Sequence, residues 1–329
     1  MKIGIKKRIL LTVQAIFLLV LLCSCASNNH KIEDYKLTMK YHDDFRILQL
    51  TDIHLGLSTD LEYEFDHLTK VINSVDNIDL IAITGDSFLL ANKPIVRSLI
   101  KFIDSFDIPW IYNFGNHDNQ GFYDSYYINR QIMKAKNALF IDYAHDSIDG
   151  YQNYYVNLVD DGGNTIYRIY NIDSNSYHFK GPKYGYEVIT DSQLEHLKAI
   201  NSYENDNAPG IMFYHIPVVE ATEAYEGLEN GTYEGKGENR EPNCPGYKQN
   251  GAYEVFKEIG IIAAFSGHDH INYSAINYKG EMILSYGVKA TDLVYYDKDI
   301  MGAQVITLPS NSANFNLDSI EWVWVPYEN

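Results

Sequence analysis

Cysteine is scarce in this sequence. Only Cys23, Cys25 and Cys244 occur among 329 residues. Cys244 lies in a Gly- and Pro-containing stretch with no His or Cys nearby, so a thiolate metal cluster is excluded. Positive charge is also short: 26 Lys and Arg stand against 44 Asp and Glu, a formal net charge of −18. A surface this acidic repels phosphate backbones and argues against general nucleic-acid binding, although a local cation could still attract an anionic substrate. Long apolar runs are missing too. The longest, "ILLTVQAIFLLVLL" at 9–22, falls short of the roughly 20 residues a membrane span needs. Apolar residues still make up 46% of the chain, which is enough for a globular core.

The first 24 residues have the make-up of an export signal. Lys2, Lys6, Lys7 and Arg8 form a basic head without any acid, and the apolar run follows. Leu22-Cys23-Ser24-Cys25 resembles a bacterial lipobox, whose last Cys becomes the lipidated first residue after cleavage. Plain secretion and an uncleaved anchor helix are the other readings. The expectation is a lipoprotein-type signal peptide over 1–24, lipid on Cys25, a polar tether over 25–36 and one domain over 37–329. That places the protein outside the membrane, anchored to it. Cleavage would leave Cys244 as the sole unmodified thiol, so no internal disulfide could form. It would also leave 22 basic against 44 acidic residues, a net charge of −22.

Several short apolar runs end in polar residues. "FRILQL" (45–50) runs into Asp52 and His54, "DLIAIT" (79–84) into Gly85-Asp86, and "PWIYNF" (109–114) into Gly115-Asn116-His117-Asp118. "IYRIYNI" (166–172) runs into Asp173, "GIMFY" (210–214) into His215, and "IIAAF" (261–265) into Gly267-His268-Asp269-His270. Near-continuous apolar runs read as strands buried on both faces. Helical patterns lie between them, over about 61–76, 91–106, 123–137, 190–203 and 251–259. Strand, loop and helix in alternation predict an α/β layered fold. The late runs "EMILSYGV", "AQVITLP" and "SIEWVWVP" read as antiparallel strands closing a sheet. The stretch 220–251 reads as a long irregular loop, placed to rim or cover the His215 strand end.

Asp52, His54, Asp86, Asn116, His117, His215, His268 and His270 thus fall at or just past strand C-termini, the edge where α/β sheets bind ligands. Each alone is weak, since a His near a strand end is usually a satisfied surface or core residue and Gly-Asp marks a turn. Their concurrence is informative, because five of the 11 histidines belong to this set. Carboxylate, amide and imidazole donors suit manganese, iron or zinc. Two such ions, about 3.5–4 Å apart, would clamp a phosphoryl group and activate a water for in-line attack. A non-ligating His could protonate the leaving oxygen.

The blocks Asp52-Ile53-His54, Gly85-Asp86, Gly115-Asn116-His117-Asp118, His215 and Gly267-His268-Asp269-His270 resemble the calcineurin-like metallophosphoesterase superfamily. "FYHIPVVEATEAY", "FSGHDHINY" and "YGVKATD" resemble its purple-acid-phosphatase-related branch more narrowly. The resemblance implies an α/β (mixed α+β) fold: a four-layer αββα sandwich of two stacked mixed sheets flanked by helices. It implies that Asp52, His54 and His270 bind one divalent metal ion and that Asn116, His215 and His268 bind a second, with Asp86 bridging them. It further implies His117 as general acid or phosphate contact, with Asp118 behind it, orienting it. Mn, Fe or Zn would serve as the metals, and the partner would be a small phosphate-ester substrate.

One departure matters. Purple acid phosphatases carry a metal-binding Tyr three residues after the bridging Asp, where this chain has Leu89. An iron–tyrosinate pair is therefore not expected, and two divalent ions are. Asp173 reads as a capping or turn residue or a support to the site, and Asp269 as lying outside the metal shell. Two activities share such a core: a phosphomonoesterase, and a phosphodiesterase acting on cyclic nucleotides, glycerophosphodiesters or wall polymers. Lys236, Arg240 and Lys248 in the 220–251 stretch are the candidates to hold a monoester's extra charge. A non-catalytic binding lipoprotein would be expected to have lost a motif residue, and none is lost.

Overall fold

The computed structural model describes residues 30–141, 148–179 and 184–327. The expected signal segment, Cys23 and the lipidation candidate Cys25 lie outside the described residues. The chain from Ile32 onward forms one compact unit. It opens earlier than residue 37: a 3-10 turn over Ile32–Tyr35 buries Tyr35, and Lys36 already pairs with Tyr155. Residues 32–36 therefore belong to the folded unit rather than to a polar tether.

The larger sheet contains β1 (Lys36–Lys40), β5 (Tyr154–Val159), β6 (Thr165–Asn171), β9 (Gly210–Phe213), β10 (Gly235–Asn239), β11 (Ile261–Ser266), β12 (Asn272–Tyr278) and β13 (Met282–Tyr286). Its spatial order is β1-β5-β6-β9-β11-β13-β12-β10. The smaller sheet contains β2 (Phe45–Leu50), β3 (Leu80–Thr84), β4 (Trp110–Asn113), β14 (Gly302–Leu308) and β15 (Ile320–Trp324), in the order β15-β14-β2-β3-β4. Both are mixed. β6, β9, β11 and β13 run parallel in one and β2, β3 and β4 in the other, with antiparallel strands outside them. β7 (Tyr177–His178) and β8 (Gly185–Tyr186) form a small separate ribbon.

Side-chain alternation assigns the layers. Ile47, Leu80, Ala82, Ile111 and Ile306 of the smaller sheet share one core with Ile169, Phe213 and Phe265 of the larger. Their neighbours Leu48, Ile81, Ile83, Tyr112 and Val305 face the other way. They pack on helices α1 (Leu61–Asn73), α2 (Lys93–Asp104) and α3 (Ser125–Ile132) through Leu68, Val71, Leu99, Ile103 and Ile128. Helices α4 (Asp191–Glu204) and α6 (Ala252–Glu258) cover the larger sheet with Leu194, Leu197, Ile200 and Phe256. The result is the expected helix–sheet–sheet–helix sandwich. The helices begin where their caps direct. Asp60 accepts from Glu62 and Tyr63 N–H, Asn92 from Ile95 N–H, and Asp124 from Tyr127 N–H.

The 220–251 stretch is not irregular. It folds into α5 (Glu220–Glu229) and the edge strand β10. Ala221 and Ala224 bury one side of α5, but seven glycines from Gly227 to Gly260 dilute the apolar pattern that would have announced these elements.

Polar side chains stitch the two sheets near one edge. Asn171 on β6 is fully buried; its Nδ2 donates to the carbonyls of Tyr112 and Gln152, and its Oδ1 accepts from Asn113. Asn171→Leu keeps the volume and strands those groups, so a loss of about 2 kcal/mol is expected. Thermal unfolding measures it, and an unchanged midpoint would show that the seam contributes nothing.

Candidate metal centre

The strand C-termini of both sheets meet at that edge. β2 delivers Asp52 and His54, β3 delivers Asp86, and β4 delivers Asn116 and His117. β9 delivers His215, and β11 delivers His268 and His270. Sharp exits from the strands require unusual backbone. Asp52, His54, Asp86 and His268 all hold left-handed φ values, from 49° to 83°. Close approach requires glycine at two positions. A Cβ on Gly267 would lie 2.0 Å from Thr51 Oγ1, and one on Gly115 would lie 2.2 Å from Asp86 Oδ1.

Two buried groups of ligand atoms result, Asp52 with His54 and His270, and Asp86 with His215 and His268. Within each group the atoms lie within 4.8 Å of one another. His268 and His270, two residues apart, thus stand in different groups. Asp86 links the groups with a single oxygen. Its Oδ1 accepts the His117 backbone N–H at 2.8 Å. Its Oδ2 lies 3.2 Å from His215 Nε2 and 3.8 Å from His54 Nε2.

Hydrogen bonds on the far side of each ligand set which atom stays free. His215 Nδ1 donates to the Thr84 carbonyl and His270 Nδ1 to that of Tyr295, which turns each Nε2 towards the cavity. Asp52 Oδ2 accepts from Thr51 Oγ1 and His268 N–H, and Oδ1 has no partner. Asn116 Nδ2 donates to the Tyr177 hydroxyl at 3.0 Å, and its Oδ1 has no partner. Both ring nitrogens of His268 and Nε2 of His215 are buried and unpartnered as well. Four ligand residues, Asp52, Asn116, His215 and His268, thus bring unsatisfied polar atoms to one cavity, which would cost free energy without a cation.

The electrostatics agree. Burial pushes His268 and His270 down to about 3, so at neutral pH both rings are uncharged donors to a metal. His54 Nε2 faces His270 Nε2 at 2.9 Å, and burial lowers His54 also. Two ring nitrogens this close share either a proton or a cation. Burial alone would raise the Asp52 carboxyl, yet the neighbouring imidazoles of His54, His215 and His270 hold it well below the carboxylate range. The donor set fits two divalent ions, with Asp52, His54 and His270 holding one, and His215, His268 and Asn116 the other.

His117 sits at the mouth, partly exposed, its Nε2 4.0 Å from Asp86 Oδ2. Its Nδ1 pairs with Gln120 Oε1 at 2.7 Å. Asp118 points elsewhere: its oxygens accept the backbone N–H groups of Phe88 and Gly115 and so hold two loops together. Gln120, not Asp118, therefore orients His117. Gln120 and Tyr177 are site residues the sequence did not single out. Gln120 lies three positions after His117, within reach in a tight turn, whereas nothing in the spacing connects Tyr177 to Asn116. Asp173 accepts from Tyr151 and Asn175 N–H, the turn role. Asp269 accepts from Cys244 N–H, outside both groups. Of the loop cations, Arg240 pairs with Glu238 and Asp297, and Lys236 donates to the Ile320 carbonyl.

Comparison with known proteins bears on these residues. The sequence profile of the calcineurin-like phosphoesterases matches residues 45–272, which contain every ligand described above. An Arabidopsis thaliana protein named "Probable inactive purple acid phosphatase 28" is 28% identical over 72% of this chain and 68% of its own length. The Saccharomyces cerevisiae protein "Phosphatase DCR2" is 24% identical over 69% of this chain and 44% of its own. The crystal structure of a dimetal phosphatase from Danio rerio aligns with 82% of this chain and 96% of that one, at 11% identity and a TM-score of 0.49.

Before metal arrives, His215 keeps a proton. Burial opposes the charge, but Asp86 and Asp52 push the imidazole up to about 10. A metal must displace that proton, so metal uptake strengthens as pH rises from 6 towards 10, by up to about tenfold per unit. Competition titrations at pH 6, 7 and 8 measure this, and a flat dependence would rule out His215 as the displaced group.

Proposed function

The chain belongs to the calcineurin-like phosphoesterase family, and from that premise we propose a two-metal phosphatase that cleaves small phosphate esters outside a bacterial membrane, held there by lipid on Cys25. That it hydrolyses phosphoester bonds follows from the family and the two ligand groups. The observation that carries the proposal is Asp86 Oδ2, the one oxygen set between both groups. Bound there, two divalent ions supply a Lewis-acid clamp on the phosphoryl oxygens and a nucleophilic water at neutral pH.

The protein's own residues do the rest. Asp86 Oδ1 holds the His117 backbone and so fixes the His117 ring beside the clamp. Gln120 Oε1 accepts from Nδ1–H and orients the ring so that Nε2 faces the leaving oxygen. The imidazolium form of His117 gives its Nε2 proton to that oxygen as the ester bond breaks and is left neutral with Nδ1–H on Gln120. Tyr177 anchors the Asn116 amide nitrogen and turns its oxygen inward. Leu89 stands at the position of the purple enzymes' tyrosinate and has no oxygen to offer, which supports two divalent ions.

The plant relative's name calls it inactive; this chain retains every ligand position, which supports activity here. Phosphodiester cleavage is the second reading, favoured by the engagement of Arg240 and Lys236 away from the metals. Of the three loop cations, that leaves Lys248, which lies over the Tyr247 ring, as the candidate to hold a monoester's second charge.

Metal-stripped protein should regain hydrolysis of a mono- or bis-aryl phosphate when manganese, zinc or iron is returned, and the ratio of the two rates decides between monoester and diester. Asp86→Ala and His117→Ala should each lower kcat at least about 100-fold. Activity that persists in Asp86→Ala would sink the assignment. For the anchor, mass analysis of the mature N-terminus should find a diacylglyceryl group on Cys25; an unmodified Cys25 refutes it.

A further inference from the structure

The two ends of the folded unit differ in chemistry. Loops at the metal edge expose large apolar side chains: Leu57 after β2, Leu90 after β3, Phe122 after β4, Phe179 and Tyr184 after β6, and Val294 after β13. All six are more than half exposed. Leu90 and Val294 also hold left-handed backbone, at φ 51° and 71°, which a leucine or a β-branched valine adopts only at a cost. Turns at the opposite edge are exposed and polar: Asp43-Asp44, Asp76-Asn77, Asp160 to Asn164, and Asn205 to Asn207. Apolar groups gathered on one face mark an interaction surface.

The course of the chain says what covers it. β1 is the edge strand of the larger sheet and runs parallel to β5, which is antiparallel to β6. Lys36 is therefore level with Tyr155 and Tyr170, one residue from Asn171 at the metal edge. The folded unit thus begins at the same end as the metals. About 15 Å, three strand spacings, separates β1 from β9 and His215. Cys25 precedes Ile32 by seven residues (32 − 25 = 7), at most about 25 Å of extended chain.

We propose that the metal edge rests on the lipid bilayer, with the apolar rim seated at the boundary between headgroups and acyl chains. The proposal depends on the anchor reading above for the side that faces the membrane. An anchor of this length holds the metal edge, rather than the acidic edge, close to the lipid. Aromatic and aliphatic side chains suit that depth, and the acidic turns at the far end stay in water, away from anionic lipid. The metal cleft then opens at headgroup level.

The test uses the full chain in phosphatidylcholine vesicles with and without dibrominated phosphatidylcholine. A tryptophan placed on the rim, Phe122→Trp or Val294→Trp, should lose roughly half of its added emission to the bromines. One at the opposite edge, Asn164→Trp, should lose almost none. Equal quenching at both edges, or none at the rim, overturns the docking. Each variant should hydrolyse a soluble aryl phosphate at the wild-type rate, which checks the fold. The anchor is decided separately by the mass of the N-terminus. A quenched rim on a chain without lipid at Cys25 retires the anchor and keeps the docking, and a lipidated chain with an unquenched rim does the reverse.

Discussion

The site depends on one carboxylate whose two oxygens are used differently. Asp86 Oδ1 accepts the His117 backbone N–H, which fixes the orientation of the carboxylate. Oδ2 alone faces both ligand groups. Two free oxygens would let the carboxylate rock between one ion and the other. With one oxygen tied, the spacing between the groups and the position of His117 are set by the same side chain. The geometry requires Gly85 and Asp86 to turn left-handed directly after β3, and Gly115 to pass where no Cβ fits. The chemistry therefore constrains the backbone of two loops, not only the ligands.

Each ligand group also spans the gap between the sheets. Asp52 and His54 come from the smaller sheet and meet His270 from the larger; Asp86 comes from the smaller and meets His215 and His268 from the larger. Ions held there would staple the sandwich at this edge, coupling metal affinity to folding. The polar seam beneath serves the same purpose from the protein side. Gln49 Nε2 donates to Thr84 Oγ1 and to the Ser266 carbonyl, and His215 Nδ1 reaches across to Thr84. These bonds hold the strand ends in register, so that side chains over two hundred residues apart converge.

How much of this was legible in the sequence follows from what each element depends on. Strands β2, β3, β4, β6, β9 and β11 are apolar on both faces, and each runs into a ligand or turn residue, so they and the layered architecture could be read directly. Strands β1 and β12 could not. "KLTMK" and "NYSAINY" mix polar residues into strands that lie at or near the sheet's edges, where one face or flank needs no apolar cover. Helix α5 and strand β10 were hidden by glycines. The ligand types stood out because imidazoles and carboxylates after apolar runs are unusual. Their partners did not, because Gln120 and Tyr177 act through hydrogen bonds whose geometry depends on loop folding. The exchange of Asp118 for Gln120 behind His117 is of that kind: both lie within three residues, and only the turn decides which side chain faces the ring.

A site this strained must be held by more than its ions. Asp52 and His54 both carry left-handed backbone, at a typical cost of about 1–3 kcal/mol each. A strap after β13 secures that turn at three consecutive carbonyls. Ala290 N–H donates to Thr51 O, Lys289 Nζ to Asp52 O, and Thr291 Oγ1 to Ile53 O. Lys289 is buried, and burial pushes its ammonium down to about 8, while Asp52 and Asp86 favour its charge. At neutral pH it remains a cation beneath two buried carboxylates and offsets part of their repulsion. The strap therefore supplies both the hydrogen bonds and some of the positive charge that the turn needs. It follows that the ligands are placed by the protein in advance, and that metal binding completes a cavity rather than creating one.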